Sequence, residues 1–400
     1  MGSRLPPLTE DQLDDEQRKL WTTITGQSRV VPAVNDSGNL VGPYDILLRS
    51  PRIGVLVAEL GSGLRRTTGL SARLLELTIL AVAEHWHCGF EWLVHTEMAR
   101  QLGVAEETIS AIQAGRVPGF EAHQEKVAYR VVTQLLRTGS VDDEAFGLAR
   151  ELFGDDGAVD LIVFTGHFTV IAFILNSFAV ALPGPAPAFG HGAGQLHAPQ
   201  VDRREDDLIR RLPALHEDEL TGAQRMLWDA IHATPRPLPP TDDQGHLLGP
   251  YDVLLRSPEI GKLLGAFGSG LRAVTDVPKR RQEVIVLVAV AHWRCEMLWA
   301  AHEPQARAAG IGDEVITAIR EGANPDFGQD ADLRALYRLA SELLRTGRLA
   351  PATFDECRDL LGDKALVELV LLAGHYCTQC FLLNAAQVPP MHNGKTVWAK

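Results

Sequence analysis

The feature that most limits the possible folds is an internal duplication. The decapeptide GPYDILLRSP begins at Gly42, and the near-identical GPYDVLLRSP begins 207 residues later, at Gly249. After one inserted residue the offset becomes 208, which relates the Gly-His pair that begins at Gly166 to the pair that begins at Gly374. Self-similarity at a fixed offset marks a repeated structural unit, so the sequence predicts two related domains in tandem.

The domain boundaries follow from the composition between the two copies. The stretch PGPAPAFGHGAGQLHAPQ, which begins at Pro183, is rich in Pro, Gly and Ala, as linkers are. We therefore predict a first domain over residues 1–182, a linker over residues 183–205 and a second domain over residues 206–400. The length of 400 residues also exceeds the roughly 250–300 residues at which one hydrophobic core usually stops growing.

Both copies have the apolar spacing of helices. Segments such as SARLLELTILAVAEHW place apolar residues three and four positions apart, and several segments end in Gly, as helix C-termini often do. Alternating strand patterns are nearly absent, so we predict an all-α fold of two tandem helical domains. The apolar run from Leu161 to Leu182 is long enough to span a membrane. Its counterpart from Leu369 is much less apolar, and we therefore predict a helix buried within the protein.

Charge and cysteine content narrow the partners and the compartment. The formal charge of −13 disfavours nucleic acid and anionic membranes as partners, and an anionic substrate would need a local basic pocket. The N-terminal MGSRLPPLTEDQ lacks the apolar core of a signal peptide, and the five Cys are an odd number at dispersed positions. We predict a cytoplasmic protein whose partner is a small-molecule substrate, with no nucleic acid and no membrane.

Reactive side chains are concentrated in one repeated stretch. EHWHCGFEWLVH begins at Glu84 and AHWRCEMLWAAH begins at Ala291, with His, Trp, Cys, Trp and His at matching places. One unbroken helix would hold Glu76 about 18 Å from Cys88. The two can share a site only if the chain turns between them, and Gly89 is where a turn could fall.

A Glu and a His walled by Trp form a candidate acid/base pair. Apolar walls raise the pKa of a carboxyl and lower the pKa of a histidine, which moves both toward neutrality. Arg65, Arg66 or Arg73 could hold a substrate carboxylate. The candidate catalytic residues are Glu76, Glu91, His95 and Cys88. The candidate substrate contacts are His85, Trp86, Trp92, Arg73 and His167. The second-half equivalents are Glu283, His292, Cys295, His302 and His375. The Trp residues and the two Gly-His histidines are equally compatible with ordinary core positions.

The spacing resembles that of a known family. A Glu, a Cys twelve residues later and a His nineteen residues later, with the flanking LLRSP and ELTIL, are similar to the alkyl hydroperoxidase D-like and carboxymuconolactone decarboxylase family. The resemblance implies all-helical domains that pair and assemble further. Together with the duplication, this pairing leads us to expect that the two halves pack as a pseudo-dimer, and that the chains form a homo-oligomer, such as a trimer of tandem chains. The redox members have a second Cys where this chain has Glu91 and Leu298. The resemblance is therefore to the non-redox branch, which implies proton transfer on a small carbonyl or carboxylate compound without a cofactor.

Two other functions stay open. Cys88 or Cys295 alone could form a sulfenic acid and act as a thiol peroxidase, if an external thiol resolved it. Alternatively, the pocket could bind a small molecule without turnover, as in a scaffold protein. Our leading prediction is a decarboxylase, isomerase or lactone-processing enzyme, with the first half as the better site because it alone keeps Glu91.

We assign no separate function to two further sequence patterns. His87, Glu91 and His95 have the four-residue spacing of a metal site, but the second copy lacks two of the three, so we predict no metal. The CTQC stretch from Cys377 to Cys380 has no thiol in its first-half counterpart. We predict that these two Cys are buried apolar residues.

Overall fold

The computed structural model describes residues 3–26, 32–190, 210–234, 240–390 and 396–398. Regular secondary structure in these ranges is helical, apart from two isolated bridges, Val34–Leu40 and Thr241–Leu247. The prediction of an all-α fold is confirmed. The first half contains α1 (Asp15–Thr25), α2 (Pro43–Leu47), α3 (Pro51–Thr67), α4 (Ala72–His85), α5 (Gly89–Gln101), α6 (Glu106–Gln113), α7 (His123–Thr138) and α8 (Asp143–Ser177). The second half contains α9 (Gly222–Ala233), α10 (Pro250–Leu254), α11 (Pro258–Ala273), α12 (Lys279–His292), α13 (Glu296–Ala308), α14 (Asp313–Glu321), α15 (Ala331–Thr346) and α16 (Pro351–Ala385).

Local sequence signals explain where several helices begin and end. The Asp14 side chain accepts a hydrogen bond from the backbone N–H of Gln17, whose own side chain reaches back to Asp14, and this capping box starts α1. The helices α7 and α15 both end at a left-handed glycine, Gly139 and Gly347, each with φ of 69°. The same device at equivalent positions shows that the duplication extends to backbone conformation.

The two long apolar helices lie in the centre of the molecule. By length and composition, α8 and α16 could each cross a membrane, but the apolar window of each is entirely buried within the protein. The two helices pack against each other, and α3 packs against α11. The prediction that the run from Leu161 forms a buried helix is consistent with this placement.

Each half contacts the other through equivalent residues. A Cβ atom added to Gly63 of α3 would lie 2.1 Å from the Cδ1 atom of Leu263 on α11. A Cβ added to Gly270 would lie 2.4 Å from the Cδ1 of Leu56, which are the equivalent positions in the opposite halves. Such reciprocal contacts characterise isologous interfaces, in which the same surface is used by both partners.

The beginning of the predicted linker is packed on the first half. The backbone N–H of Gly190 donates to the carbonyl of Gln113 at 2.9 Å, and the Gln113 side chain donates to the carbonyl of Ala188 at 3.0 Å. Phe189 packs edge-on against Trp92. The remainder of the predicted linker, residues 191–205, lies outside the described residues, and the domain boundaries stay a prediction.

Candidate active site

A sharp turn brings the candidate carboxylate and imidazole together. The helix α4 ends at His85 and α5 begins at Gly89, so Glu76 on α4 and His95 on α5 lie on adjacent helices. The turn is made at His87, with φ of 50°, rather than at Gly89 as the sequence suggested. Arg294, the equivalent residue in the second half, has φ of 47°. Positive φ is uncommon for a residue with a Cβ, so both halves retain the same strained turn.

His95 is held between two carboxylates. Its Nδ1 lies 2.6 Å from Oε2 of Glu76, and its Nε2 lies 3.1 Å from Oε2 of Glu91, one helical turn earlier. All three side chains are buried. The angle of the second contact does not meet hydrogen-bond geometry, and Oε2 of Glu91 has no hydrogen-bond partner in the described part of the chain. Glu91 can therefore accept a hydrogen bond from a ligand that enters beside His95.

Glu76 is in addition paired with an arginine. Nη1 of Arg65 donates to Oε1 of Glu76 at 2.9 Å, and the guanidinium lies 5.7 Å from the ring centre of Phe168. Burial alone would raise the pKa of Glu76, but the hydrogen bonds and charges of His95 and Arg65 outweigh it and lower the pKa. The expectation of an elevated carboxyl pKa is therefore wrong for Glu76, because two positive groups lie within contact distance.

The histidine is shifted against expectation as well. Burial by itself lowers the pKa of His95, but the charges of Glu91 and Glu76, together with the hydrogen bond to Glu76, prevail and raise the pKa to about 9. The ring is an imidazolium at neutral pH. Burial does dominate for two other predicted site residues, since it lowers the pKa of His85 and of His167 to about 3. The sign of each shift follows from the balance between burial and the charges and hydrogen bonds around the ring.

A cavity of 510 Å³ opens beside His95 and Glu91. This volume is in the range of small-molecule sites. Its polar lining is His95, Glu91, His167, Ser62, Tyr44, Arg65 and Arg66. Its apolar lining is Pro32, Ala33, Val41, Pro43, Leu47, Val57, Ala58, Gly61, Phe90, Val94, Met98, Phe168 and Ile171. Glu76 lies behind His95 and is not part of the described lining, so its contact with a ligand would be through His95.

His167 lies within the cavity wall, as predicted. It is buried, and its Nδ1 has no hydrogen-bond partner among the residues that the structure describes. Its Nε2 faces Gly61, where a Cβ atom would lie only 2.7 Å away. Because its pKa is about 3, the ring is neutral and can offer a hydrogen bond to a ligand without adding charge.

Several residues predicted to contact a ligand lie outside the described cavity lining, first of all Trp86 and His85. Trp86 packs on Gly347 of the second half, and its indole N–H donates to Thr169. His85 contacts Trp86 edge-on and is half-buried near His292. Neither residue is part of the described cavity lining. The reason is their place at the end of α4, where this helix meets the other half.

Trp92 and Arg73 also lie away from the described cavity lining. The Trp92 ring is directed to Phe189, in the segment that follows the first half. Arg73 donates to Glu125 on α7 and is paired there. Of the three arginines considered from the sequence, Arg65 and Arg66 line the cavity and Arg73 does not.

Cys88 is buried at the N-terminus of α5 and is likewise absent from the described lining. Burial, together with the charge of Glu91, raises the pKa of its thiol far above the ordinary value. The thiol form is uncharged and a poor nucleophile. Catalytic contact by Cys88, as the sequence suggested, is therefore not supported by its position.

The second half repeats part of this geometry. Nδ1 of His302 lies 2.9 Å from Oε2 of Glu283, and Arg272 pairs with the other oxygen of Glu283. Where the first half has Glu91, the second has the buried Leu298, and Nε2 of His302 lies 3.1 Å from the hydroxyl of Tyr376 instead. Burial, with the charges of Arg272 and Lys279, lowers the pKa of His302 despite Glu283.

The other second-half candidates are interior residues. Cys295 is buried and His292 is half-buried at the turn between α12 and α13, and desolvation lowers the pKa of His292 to about 4. His375 is within hydrogen-bond distance of Gln379. Cys377 accepts a hydrogen bond from the indole of Trp293. In the first half the equivalent residue, Thr169, accepts the hydrogen bond from the indole of Trp86. This structural role of Cys377 agrees with the prediction that it is a buried core residue.

The residue pair that sequence reasoning missed is Phe168 and Tyr376. Each follows the histidine of a repeated Gly-His pair and lies beside the central histidine of its own half. A signal was present, because aligning the two copies shows a Phe-to-Tyr difference alongside the Glu91-to-Leu298 difference. Only the tertiary structure shows that the two differences meet at one ring nitrogen.

His87, Glu91 and His95, which have the spacing of a metal site in the sequence, have other contacts in the structure. The ring of His87 stacks on Phe189 with centroids 4.9 Å apart. In the part of the chain that the structure describes, no group of three His, Cys, Asp or Glu side chains is arranged to hold a metal ion.

The comparison with known families supports the resemblance. Residues 51–134 match the model of the carboxymuconolactone decarboxylase family. This range runs from α3 into α7 and contains Arg65, Glu76, Glu91 and His95. No curated protein matches the chain.

Proposed function

We propose that the protein is an acid/base enzyme that needs no cofactor and acts on a small carbonyl or carboxylate compound, and the match of residues 51–134 to the carboxymuconolactone decarboxylase family model supports this proposal. His95 is the proton donor, Glu91 the proton acceptor, and Glu76 the group that orients His95. The observation that carries the proposal is the buried His95, bonded to Glu76 and 3.1 Å from Glu91 at the wall of a 510 Å³ cavity. A positioned acid and base beside a bound substrate are the components of general acid–base catalysis.

The charges at the cavity favour an anionic substrate. Arg65 and Arg66 line the cavity in a chain whose formal charge is −13, so they form a local basic site on an acidic protein. A guanidinium can hold a carboxylate through two parallel hydrogen bonds. The apolar part of the lining, which includes Phe90, Val94 and Ile171, suits the carbon skeleton of a small acid.

Decarboxylation is the reaction that we favour. The carbon–carbon bond to the carboxylate breaks, CO₂ leaves, and the electron pair passes into the neighbouring unsaturated carbonyl as an enolate. The imidazolium of His95 then protonates the enolate carbon and regains its proton from water. Arg65 and His167 lie where they can stabilise the negative charge while it is on oxygen. The same groups would support isomerisation or lactone opening, with Glu91 removing the first proton.

The thiol peroxidase alternative is disfavoured by the burial of its nucleophile. Cys88 is fully buried, its pKa is raised, and the position of a resolving Cys is occupied by Glu91. Peroxide reduction requires an accessible thiolate. Cys295 is buried as well, so neither half offers a better thiol.

The assembly belongs to the same proposal. The reciprocal contacts of Gly63 with Leu263 and of Gly270 with Leu56 support a pseudo-dimer of two related domains within one chain. We propose further assembly of such chains, in the cytoplasm, into a homo-oligomer. Light scattering that gives only a 43.7 kDa species at micromolar concentration would exclude the assembly.

The experiment is a turnover assay in D₂O with carboxymuconolactone and simpler unsaturated keto acids. The expected result is CO₂ release with one deuterium at the carbon that lost the carboxylate, and a loss of about a hundredfold or more in His95→Gln. His302→Gln is the matched control, since it changes the equivalent ring in the other half. A wild-type protein that binds these acids but releases no CO₂ and exchanges no deuterium would be a binding protein, and the enzyme proposal would fail.

A further inference from the structure

The two halves differ at two positions that both face the central histidine. The first half has Glu91 and Phe168, and the second has Leu298 and Tyr376 at the equivalent places. The orienting contacts behind the histidine are the same in both halves, a glutamate on Nδ1 and an arginine on the glutamate. The contacts of the ring itself therefore differ on the side where Nε2 lies.

The aromatic side chain has the same placement in both halves. The ring of Phe168 lies edge-on to His95, with centroids 5.6 Å apart and an interplanar angle of 86°. The ring of Tyr376 lies edge-on to His302, at 5.1 Å and 87°. What the second half adds is one oxygen atom, and that oxygen lies 3.1 Å from Nε2 of His302. The phenol O–H can donate to a neutral ring whose Nδ1–H is donated to Glu283.

The two exchanges depend on each other. In each half one polar group lies 3.1 Å from Nε2, the hydroxyl of Tyr376 in the second half and the carboxylate of Glu91 in the first. A neutral Nε2 accepts from the hydroxyl, whereas a protonated Nε2 has an N–H that is attracted to the carboxylate. Leu298 supplies no polar atom, so without the hydroxyl of Tyr376 the buried Nε2 would lose its partner. Conversely, a hydroxyl on the ring of Phe168 would occupy the position at which His95 meets Glu91.

We propose that Tyr376 is a positioning residue that occupies Nε2 of His302. The first half has Glu91 and Phe168 where the second half has Leu298 and Tyr376, and this difference restricts proton transfer to the first half. The inference rests on the function proposed above and adds the feature that decides which half is active. The second half would then be a structural copy, whose histidine is held as a neutral, bonded core residue.

The surrounding charges agree with this division. His302 is faced by Glu283 and Lys279 from α12, by Arg272 from α11 and by Tyr376 from α16. Two cations and one carboxylate act on it, whereas two carboxylates and one arginine lie around His95. Accordingly the pKa of His302 is lowered from the ordinary value, while that of His95 is raised to about 9. At pH 8 the ring of His95 is therefore positively charged, while the ring of His302 is neutral.

The test exchanges the pairs and measures histidine pKa by NMR on protein labelled at the histidine Cε1 carbon. In Glu91→Leu/Phe168→Tyr, we expect the pKa of His95 to fall by about two units or more. In Leu298→Glu/Tyr376→Phe, we expect the pKa of His302 to rise by a similar amount. These shifts do not require any reaction, so they remain informative if the proposed enzyme activity is absent.

Single substitutions that add or remove one oxygen atom test the same idea if the double variants misfold. Phe168→Tyr should lower both the pKa of His95 and turnover, the latter by about tenfold or more, because the new hydroxyl bonds to Nε2. Phe153→Tyr is the control, since Phe153 is on the same helix but outside the described cavity lining. Tyr376→Phe should raise the pKa of His302 and leave first-half turnover unchanged.

Two results would overturn the inference. If Tyr376→Phe lowers turnover in a folded protein, the second half takes part in the reaction and Tyr376 is catalytic. If Phe168→Tyr leaves the pKa of His95 unchanged, the hydroxyl does not control Nε2. Absence of turnover in the wild type, with all pKa shifts as expected, would instead contradict only the proposed function.

Discussion

Replacing Glu91 by Gln should remove the positive charge of His95 at neutral pH. The substitution keeps the shape of a buried side chain but removes the carboxylate that lies 3.1 Å from Nε2. His302 is the internal reference, because it keeps the equivalent of Glu76 but has Leu298 in place of Glu91, and its pKa lies below the ordinary value. We therefore expect the pKa of His95 to fall from about 9 to its ordinary value or lower.

The magnitude follows from the size of the shift. A rise in the pKa of His95 from 6.5 to about 9 corresponds to about 3 kcal/mol of folding free energy. Because the folded-state pKa is raised, this contribution is complete below the unfolded-state value of 6.5 and disappears as the pH rises through about 9. The wild type should lose stability across that window, and Glu91→Gln should not.

The assay is urea unfolding of both proteins at several pH values from below 6.5 to above 9. The quantity that decides is the difference in unfolding free energy between wild type and variant, since other groups titrate equally in both. Glu97→Gln is the control, because it makes the same change on α5 at an exposed carboxylate that pairs only loosely with Arg100. Turnover of Glu91→Gln should fall by about a hundredfold or more.

One result would refute this reasoning. If the stability curves of wild type and Glu91→Gln run parallel across the window, Glu91 does not hold His95 as an imidazolium. The proton donor of the proposed reaction would then have to be another group.

Three further predictions concern the residues around the site. Arg65→Gln should weaken binding of a carboxylate ligand by about tenfold or more, whereas Arg73→Gln should leave the affinity unchanged, and calorimetric titration measures both. Cys88→Ala should cost about 1 kcal/mol in stability and leave turnover intact, and a loss of hydroperoxide consumption in this variant would revive the peroxidase alternative. Gly63→Ala should destabilise the contact between the halves by about 1–3 kcal/mol, because its Cβ would overlap a leucine of α11. Gly69→Ala, which meets no atom within 4 Å, should be neutral in the same thermal melts.

The sequence by itself determined the repeated plan and the identity of the central residues. The offset of 207 residues fixes the equivalence of the halves, the three- and four-residue spacing predicts helices, and the interval from Glu76 to His95 marks a site. These properties are local or periodic, so they can be read without knowing which helices are neighbours. The Glu91-to-Leu298 difference was visible in the same way.

Only the tertiary structure decided which side chains face the cavity. The helix α4 is buried over most of its length, so its apolar pattern does not indicate which side meets the other half and which meets the site. Trp86 is therefore directed to the interface between the halves, while Arg65, on the preceding helix, reaches the cavity wall.

The protonation state of the site could not be predicted from the sequence either. Burial and contact with a carboxylate act in opposite directions on a histidine, and the outcome depends on separations of about 3 Å between groups on different helices. Two carboxylates at Nδ1 and Nε2 raise the pKa of His95, whereas burial and the charges of Arg272 and Lys279 outweigh the one carboxylate at His302 and lower its pKa. Sequence spacing shows which residues are available, but the balance is decided by the packing that brings them to the same ring.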